Sequence, residues 1–271
     1  MEQVIVFDVS NIAYICAHRF FGNTEISSNA DVYLLQKLEE YMRQIYKKFI
    51  SVSPNHKLKV VFACDSQTHV YWRNEIYLEY KQNRAMTPLR MIVRAAIDLF
   101  LEKHDSLSVC IDNCEADDVI YVLNKKILPN NDISLIIVST DRDFMQLVGP
   151  RVRLYNPKDQ RFRSSKNSGK YDLFIKSMRG DNSDNISSAF PYVTTKRLNR
   201  AFADEAEMDK LLSVRRDDNR LVKDVYNLNK NLIDLSFLPV DLFNKIAVKI
   251  DSIMNVLNKA KVKENIAENI E

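Results

Sequence analysis

Glycine is scarce in this chain of 271 residues, which contains 4 of them, and neither GxGxxG nor GxxxxGKS/T occurs. These absences argue against a dinucleotide site and a P-loop, since both need glycine where backbone approaches phosphate. The four cysteines form no CxxC pair, and no nearby histidines complete a zinc set, so we interpret them as reduced thiols of a cytosolic protein. No apolar run is long enough to span a membrane, and the start, MEQVIVFDV, lacks the basic region of a signal peptide.

Three predicted strands lead directly into aspartates. Residues 133–138 form a short, β-branched apolar run, which is typical of a strand buried on both faces of a parallel sheet. Residues 4–7 and 58–64 have the same character, and helical patterns separate the three runs. This alternation predicts an α/β fold with a mostly parallel central sheet flanked by helices. The aspartates that follow these strands are Asp8, Asp65, Asp141 and Asp143.

The pair Asp141 and Asp143 allows two interpretations. If the backbone stays extended, both carboxylates point the same way, because side chains alternate with a period of two. An aspartate after a strand can instead form a turn or cap a helix. Sites in open α/β sheets form at the carboxyl ends of strands, so this is where we expect an active site. We expect Ser10 or Asn11 to cap the helix that follows Asp8.

Further acids occur in two clusters, EADD at the start of a predicted helix and GDNSDN near residue 180. If all these carboxylates share one cleft, they raise one another's pKa unless cations neutralise them. Oxygen ligands without His or Cys favour hard ions such as Mg²⁺ or Mn²⁺, and two such ions about 4 Å apart suit phosphodiester chemistry. The sequence therefore predicts metal-dependent phosphoryl chemistry on nucleic acid. The nine candidate ligands are Asp8, Asp65, Glu115, Asp117, Asp118, Asp141, Asp143, Asp181 and Asp184.

Two segments are candidates for binding nucleic acid: one mixes aromatic and basic residues, and the other carries several arginines. Residues 71–84, YWRNEIYLEYKQNR, suit nucleic acid because bases stack on rings and cations meet phosphates, although an ordinary helix with Trp72, Ile76 and Tyr80 in the core is the simpler interpretation. Residues 151–163 predict a β-hairpin that carries four arginines. That hairpin is either a phosphate-binding surface or a solvated polar turn.

Six motifs in one order resemble the 5′-nuclease (flap endonuclease) family. They are FDVSN at 7–11, ACD at 63–65, YKQNR at 80–84, EADD at 115–118, STDRDF at 139–144 and RGDNSDN at 179–185. Within the family, the sequence is most similar to the branch of the T-even phage ribonucleases H, which are replication 5′→3′ exonucleases that remove RNA primers. The resemblance covers roughly residues 1–245 and implies a PIN-like nuclease core.

The resemblance implies a role for each matching residue. A first metal would be held by Asp8, Asp65, Glu115, Asp117 and Asp141, and a second by Asp143, Asp181 and Asp184, with Asp118 as an outer partner. Lys81 and Arg84 would grip the scissile phosphate, and Tyr80 would stack on the terminal base. A metal-activated water would then attack, leaving a 5′-phosphate and a 3′-hydroxyl. The expected cofactors are two Mg²⁺ ions, for which Mn²⁺ substitutes.

The chain departs from the family pattern in two places. Its counterpart of the helix-hairpin-helix, ISSAFPYVTTKRLNRAF, has no glycine, which argues against a K⁺ site but leaves Thr194, Thr195, Lys196 and Arg197 to anchor duplex. About thirty residues separate Arg84 from Glu115, so we expect a reduced helical arch at about 80–104. We expect a nuclease core at 1–175 and a C-terminal helical DNA-binding subdomain at 176–271.

The expected partners are branched or 5′-ended duplex DNA and RNA–DNA hybrid, with a replication single-strand-binding protein or sliding clamp as further candidates. We expect a monomer in the cytoplasm, which is the host cytoplasm if a phage encodes the chain. Two alternatives stay open: a PIN-type ribonuclease, which would not need the second acidic set, and a non-catalytic protein that binds branched DNA.

Overall fold

A single mixed sheet of six strands organises the chain, and the computed structural model describes residues 2–22, 29–164 and 168–259. The strand order is β3-β2-β1-β4-β5-β6, in which β1 to β5 are parallel and β6 is antiparallel to β5. The predicted mostly parallel sheet flanked by helices is thus confirmed. The strands are β1 (Glu2–Asp8), β2 (Lys57–Cys64), β3 (Ser108–Cys110), β4 (Ile133–Val138), β5 (Val152–Asn156) and β6 (Arg161–Arg163).

Helices occupy most of the remaining described chain. They are α1 (Val9–Phe21), α2 (Ala30–Val52), α3 (Arg73–Ile76), α4 (Pro88–His104), α5 (Ala116–Ile127), α6 (Gly169–Arg179), α7 (Thr195–Ala203), α8 (Glu205–Leu212), α9 (Val222–Ile233) and α10 (Val240–Lys259). None of these described helices combines the length and the apolar character that crossing a membrane requires. Residues 260–271, the end of the predicted C-terminal subdomain, lie outside the described residues.

The chain packs as two compact units with boundaries unlike the predicted division at residue 175. The first, which we call the sheet unit, comprises the described residues within 1–71, 86–164 and 238–271, and the second, the helical unit, comprises those within 72–85 and 165–237. The C-terminal helix α10 belongs to the sheet unit because it packs on α5 and near β3. The segment 72–85 belongs to the helical unit, although the predicted division assigns it to the nuclease core at 1–175.

The sheet unit has an apolar interior built on its central strands. Residues 4–7 of β1 are 0% exposed, which is the burial expected for a parallel strand covered on both faces. The helices α1, α2 and α4 pack on one another, and α5 packs on α10. Thr87 caps α4 through its side chain, and Pro88 is the first residue of the helix, as the Thr-Pro pair indicates.

Most of the predicted arch region at 80–104 is a core helix of the sheet unit. The side chains of Val93, Ala96 and Phe100 on α4 are buried, and the rings of Phe100 and Phe62 lie 4.9 Å apart. A helix buried in this way cannot stand away from the domain as an arch. The part of the region that lies outside α4 is residues 80–87.

The helical unit has a smaller core between α6, α7 and α9. Phe174, Met178, Leu198 and Val225 are among its buried residues. Asn229 on α9 is 1% exposed and donates its side-chain N–H groups to the carbonyls of Ser177 at 2.9 Å and Ser187 at 2.8 Å. These bonds connect α9 to α6 through Ser177 and to the loop between α6 and α7 through Ser187.

Gly180 begins that loop with a φ of 73°, in the left-handed region that favours glycine. A Cβ at this position would lie 2.3 Å from the carbonyl oxygen of Ile186 and 2.6 Å from the carbonyl carbon of Ser187. Both neighbours are backbone atoms, which cannot rotate away as a side chain would. Glycine at 180 therefore sets the path of the segment that carries Asp181 and Asp184.

We expect Gly180→Ala to lower the free energy of unfolding by about 3 kcal/mol, because strain and a backbone clash add. Urea unfolding followed by circular dichroism measures the loss. Gly149→Ala is the matched control, since a Cβ there meets nothing within 4 Å, and we expect it to change stability by less than about 1 kcal/mol. Equal stability of the two variants would contradict this account of the loop.

Candidate active site

Three acids of the sheet unit lie at one edge because the strands that lead to them are parallel neighbours. The β1–β2 register pairs Asp8 with Ala63, two residues before Asp65. The β1–β4 register pairs Phe7 with Val138, the last residue of β4. Asp8, Asp65 and Asp141 therefore follow the carboxyl ends of β1, β2 and β4, the edge where open α/β sheets place their sites.

Asp8 is only 5% exposed, and its carboxylate accepts two hydrogen bonds. The hydroxyl of Ser139 donates to Oδ2 at 2.7 Å, and the N–H of Asn11 donates to Oδ1 at 3.1 Å. The second bond makes Asp8 the cap of α1, so the prediction that Ser10 or Asn11 caps this helix is wrong. The Asn11 side chain instead donates to the hydroxyl of Thr140 at 2.8 Å.

Burial and neighbouring carboxylates raise the pKa of Asp8 to about 7. Burial is the largest cause, and the charge of Asp65 is the next, with a smaller contribution from Asp141. The bonds from Ser139 and Asn11 lower the pKa but do not outweigh these effects. Asp8 thus interacts electrostatically with the acids that follow β2 and β4, although the three are far apart in sequence.

The segment after β4 turns rather than staying extended. The N–H of Asp143 donates to Asp141 Oδ1 at 2.8 Å, and a 3₁₀ turn follows at Asp143–Gln146. The interpretation of an extended backbone is therefore wrong, and Asp141 is a turn former, the other interpretation that the sequence allowed. The N–H of Asp141 in turn donates to Ser139 Oγ at 3.0 Å, so Ser139 connects Asp141 to Asp8.

The acids of EADD surround the N-terminus of α5. Glu115 and Asp118 form a capping box, in which the Glu115 N–H donates to Asp118 Oδ2 at 2.9 Å. The N–H of Ala116 donates to Asp65 Oδ1 at 2.9 Å, which ties the end of β2 to the same helix terminus. Glu115 and Asp118 are 2% and 0% exposed, whereas Asp117 is half-buried.

In the helical unit, Asp184 is the centre of a basic cluster. Its carboxylate bonds Arg84 and lies 3.9 Å from Lys81 Nζ and 3.4 Å from the Tyr80 hydroxyl. Asp181 pairs with Lys176 at 2.6 Å. Burial acts to raise the pKa of Asp181, but the bonds from Lys176 and Ser183 outweigh it and hold the pKa at about 2.

Tyr80 differs from the stacking platform that the resemblance implies. It is 4% exposed, and the Lys81 ammonium lies 5.0 Å from the centre of its ring. As placed, the buried ring offers little surface to a base, and the interpretation of Tyr80 as a core residue fits its burial better. Lys81 itself has a φ of 58°, a conformation uncommon for a residue with a side chain.

The predicted duplex anchor lies at the N-terminus of α7. Thr194 caps the helix through its hydroxyl, which accepts the N–H of Arg197 at 3.3 Å. The hydroxyl of Thr195 accepts a bond from Arg179 at 2.7 Å. Lys196 is exposed, and the Arg197 guanidinium lies 4.9 Å from the centre of the Phe190 ring.

The structure thus groups the predicted residues by unit. Asp8, Asp65 and Asp141 interact in the sheet unit, and Asp184 gathers Tyr80, Lys81 and Arg84 in the helical unit. Within the described ranges, no three His, Cys, Asp or Glu side chains converge closely enough, as placed, to hold a metal ion. The donor chemistry nevertheless fits a hard cation, because Asp8 is a buried carboxylate whose acidic neighbours oppose its ionisation.

Sequence reasoning missed the hydroxyl and amide groups that hold these acids. Ser139 and Asn11 lie inside the motifs STDRDF and FDVSN, where the sequence indicated ligand roles for the acids and only helix capping for Asn11. The signal was available, since small hydroxyl residues directly after a buried strand are natural donors to a carboxylate at the same edge.

The raised pKa of Asp8 makes the stability of the metal-free protein depend on pH. Because the folded value of about 7 exceeds the ordinary 3.8, the folded state holds an extra proton between these values, and stability falls as pH rises through that window. In EDTA at pH 8 we therefore expect Asp8→Asn to unfold several degrees above wild type, with the difference disappearing near pH 4. Thermal unfolding over a pH series measures this.

The control for that series is Asp132→Asn, which neutralises an exposed acid just before β4, at the end of the strand opposite to Ser139. We expect its midpoint to follow that of wild type at every pH. An Asp8→Asn protein that is less stable than wild type at pH 8, or a difference that does not change with pH, would contradict the assignment.

Comparison with known proteins identifies the family. Residues 3–172 match the family described as 5′-3′ exonuclease, N-terminal resolvase-like domain. Ribonuclease H of Enterobacteria phage T4 is 28% identical over 213 residues, covering 69% of this chain and 68% of that protein. The 5′-3′ exonuclease of Buchnera aphidicola subsp. Schizaphis graminum is 29% identical over 182 residues, covering 64% of this chain and 60% of that protein.

Solved structures show the same fold at lower identity. The flap endonuclease D15 of bacteriophage T5, in a complex with DNA and metal ions, matches with a TM-score of 0.65 and 16% identity, covering 95% of this chain and 100% of that one. The T5 5′-exonuclease with bound zinc matches with a TM-score of 0.58 and 21% identity over the whole of both chains. The match to residues 3–172 spans more than half of the sequence, and the chain is a member of the 5′-3′ exonuclease family.

Proposed function

We propose that this protein is a metal-dependent 5′-nuclease that hydrolyses phosphodiester bonds at 5′ flaps and 5′ ends of duplex DNA and RNA–DNA hybrid. Family membership supports the nuclease class. The single observation that carries the metal dependence is Asp8, a buried carboxylate whose pKa is raised by burial and by Asp65 and Asp141. Carboxylates brought together at such a cost are expected where a cation binds between them.

The residues that would hold a first divalent ion are those at the sheet edge. Asp8, Asp65 and Asp141 would be joined by Glu115 and Asp117 from the start of α5. When bound, Mg²⁺ or Mn²⁺ supplies an activated water and neutralises charge on the phosphate. Ser139 and the N–H groups of Asn11 and Ala116 keep the carboxylates in place, and Asp118 fixes the helix terminus through the Glu115 N–H.

A second ion would be served by Asp143, Asp181 and Asp184. Asp143 is linked to the first set through its N–H bond to Asp141. Asp181 and Asp184 are positioned by the loop that Gly180 begins. The role of these three acids as ligands of a second ion rests on the family motif. Hydrolysis with two metal ions, which leaves a 5′-phosphate and a 3′-hydroxyl, is part of the proposal.

Lys81 and Arg84 are proposed to grip the scissile phosphate. In the helical unit both already lie beside the carboxylate of Asp184, an anion with oxygen atoms arranged much as in a phosphate edge. Their donors are thus oriented toward an oxyanion before substrate binds. Positive charge held in this way stabilises the negative charge that develops as the phosphodiester bond breaks.

The substrate is proposed to be branched or 5′-ended duplex, with Thr194, Thr195, Lys196 and Arg197 anchoring its backbone. Removal of RNA primers during replication, action as a monomer in the cytoplasm, and contact with a single-strand-binding protein or sliding clamp extend the proposal. We do not include a K⁺ ion, because residues 186–202 lack the glycines that would bring backbone carbonyls to it.

We expect the purified protein to cleave 5′-labelled flap DNA and RNA–DNA hybrid in Mg²⁺ or Mn²⁺, and to lose activity in EDTA. Asp141→Asn should lower the rate at least about 100-fold, because it removes an anionic ligand of the proposed first ion. Gel analysis of the labelled products measures both effects. Asp159→Asn, which changes an exposed acid in the β5–β6 hairpin, is the control and should retain activity.

Each contrary outcome points to a different alternative. Cleavage that survives both EDTA and Asp141→Asn would exclude the proposed chemistry. Equal cleavage of unstructured RNA and flap DNA would favour a PIN-type ribonuclease. Tight binding of branched DNA without turnover in either metal would favour a non-catalytic binding protein.

A further inference from the structure

Tyr192 lies in a tight turn of the loop that joins α6 to α7, and its side chain is fully exposed to solvent. It is 102% exposed, the highest value among the large hydrophobic residues that the structure describes. Its φ is 60°, and the turn is closed by a bond from the Val193 N–H to the Phe190 carbonyl at 3.4 Å, with Pro191 at the second position. Glycine or asparagine ordinarily occupies a turn position with positive φ.

The backbone just before this turn is fixed by hydrogen bonds, so Tyr192 does not belong to a loosely attached loop. Ala189 is 0% exposed, and its N–H donates to the Met178 carbonyl at 2.9 Å. The Arg216 guanidinium donates to the carbonyls of Ser188 and Ala189, the latter at 2.9 Å. Because the flanking backbone is anchored to α6 and to Arg216, Tyr192 is presented at a defined place.

The Tyr192 side chain is fully exposed, so burial of its ring does not stabilise the fold. A bulky aromatic residue with a positive φ is strained, and full exposure of the ring forgoes the gain from burial. Glycine would adopt the same turn without strain. Residues that break a local rule in this way are concentrated at functional sites, where the side chain is used in binding.

The surroundings of Tyr192 indicate an anionic partner. Residues 186–203 contain three cations, Lys196, Arg197 and Arg200, and no acid. The Arg197 guanidinium rests on the ring of Phe190, 4.9 Å from its centre, so this cation is held beside the turn. An exposed aromatic ring next to cations matches nucleic acid, in which sugars and bases offer apolar faces between charged phosphates.

We propose that Tyr192 is a duplex-binding residue whose ring packs against sugars or bases of the duplex, while Lys196 and Arg197 meet the flanking phosphates. The inference deepens the proposed function and rests on it. The ring adds contact area without ion pairing, so its contribution differs in kind from that of the neighbouring cations.

The test is binding of a fluorescent 20-base-pair duplex and of the matching single strand in EDTA, measured by anisotropy over a salt series. We expect Tyr192→Ala to weaken duplex binding about 10-fold with an unchanged salt slope, because no counterion release is lost. Tyr192→Phe should bind like wild type. Lys196→Ala should instead reduce the salt slope by about one, and Val248→Ala, which changes an exposed residue of α10, should bind like wild type.

Tyr192→Gly separates binding from folding. We expect it to weaken duplex binding as alanine does while leaving the midpoint of thermal unfolding equal to or higher than that of wild type, since the strain is removed. Duplex binding by Tyr192→Ala that equals wild type would overturn the inference and leave the nuclease proposal standing. If wild type itself neither binds duplex nor cleaves flap DNA, the proposed function fails, and the inference fails with it.

Discussion

The repulsion among like-charged carboxylates at one edge of the sheet is the constraint on which the structure of the site depends. Parallel pairing of β1 with β2 and β4 brings Asp8 near Asp65 and Asp141, although more than fifty residues separate each from the next. Burial of Asp8 makes that proximity costly, which is visible in a pKa raised to about 7. A fold selected for stability alone would place an apolar residue there, so the cost indicates a function.

Hydrogen bonds to the acids are arranged to hold them in place rather than to neutralise them. Ser139 bonds both Asp8 and the N–H of Asp141, and backbone N–H groups reach Asp8 and Asp65. In the helical unit, Asp184 has the opposite environment, with Lys81 and Arg84 beside it. One unit thus concentrates negative charge that would attract a cation, and the other holds cations suited to a phosphate.

The sequence predicted the sheet well because apolar runs of strand length carry a strong signal, and the acids at strand ends followed from it. The choice between an extended segment and a turn at Asp141–Asp143 stayed open in the sequence, and the cap on α1 was predicted wrongly, because a short polar side chain can bond several nearby N–H groups and only the folded backbone decides which. Helical spacing indicated Tyr80 as a core residue, in agreement with its burial, but the unit in which a segment packs depends on contacts with distant segments, which periodicity within one segment cannot reveal.

The central claim is that the edge carboxylates share a divalent ion, and the titration of Asp8 tests it most directly. Carbon-13 NMR of the labelled aspartate carboxyls, with Asp8 assigned by Asp8→Asn, follows its pKa in EDTA and in saturating Mg²⁺. The account predicts a value near 7 without metal and a large decrease with Mg²⁺, because the cation favours the ionised form. A pKa that Mg²⁺ leaves unchanged would contradict the claim.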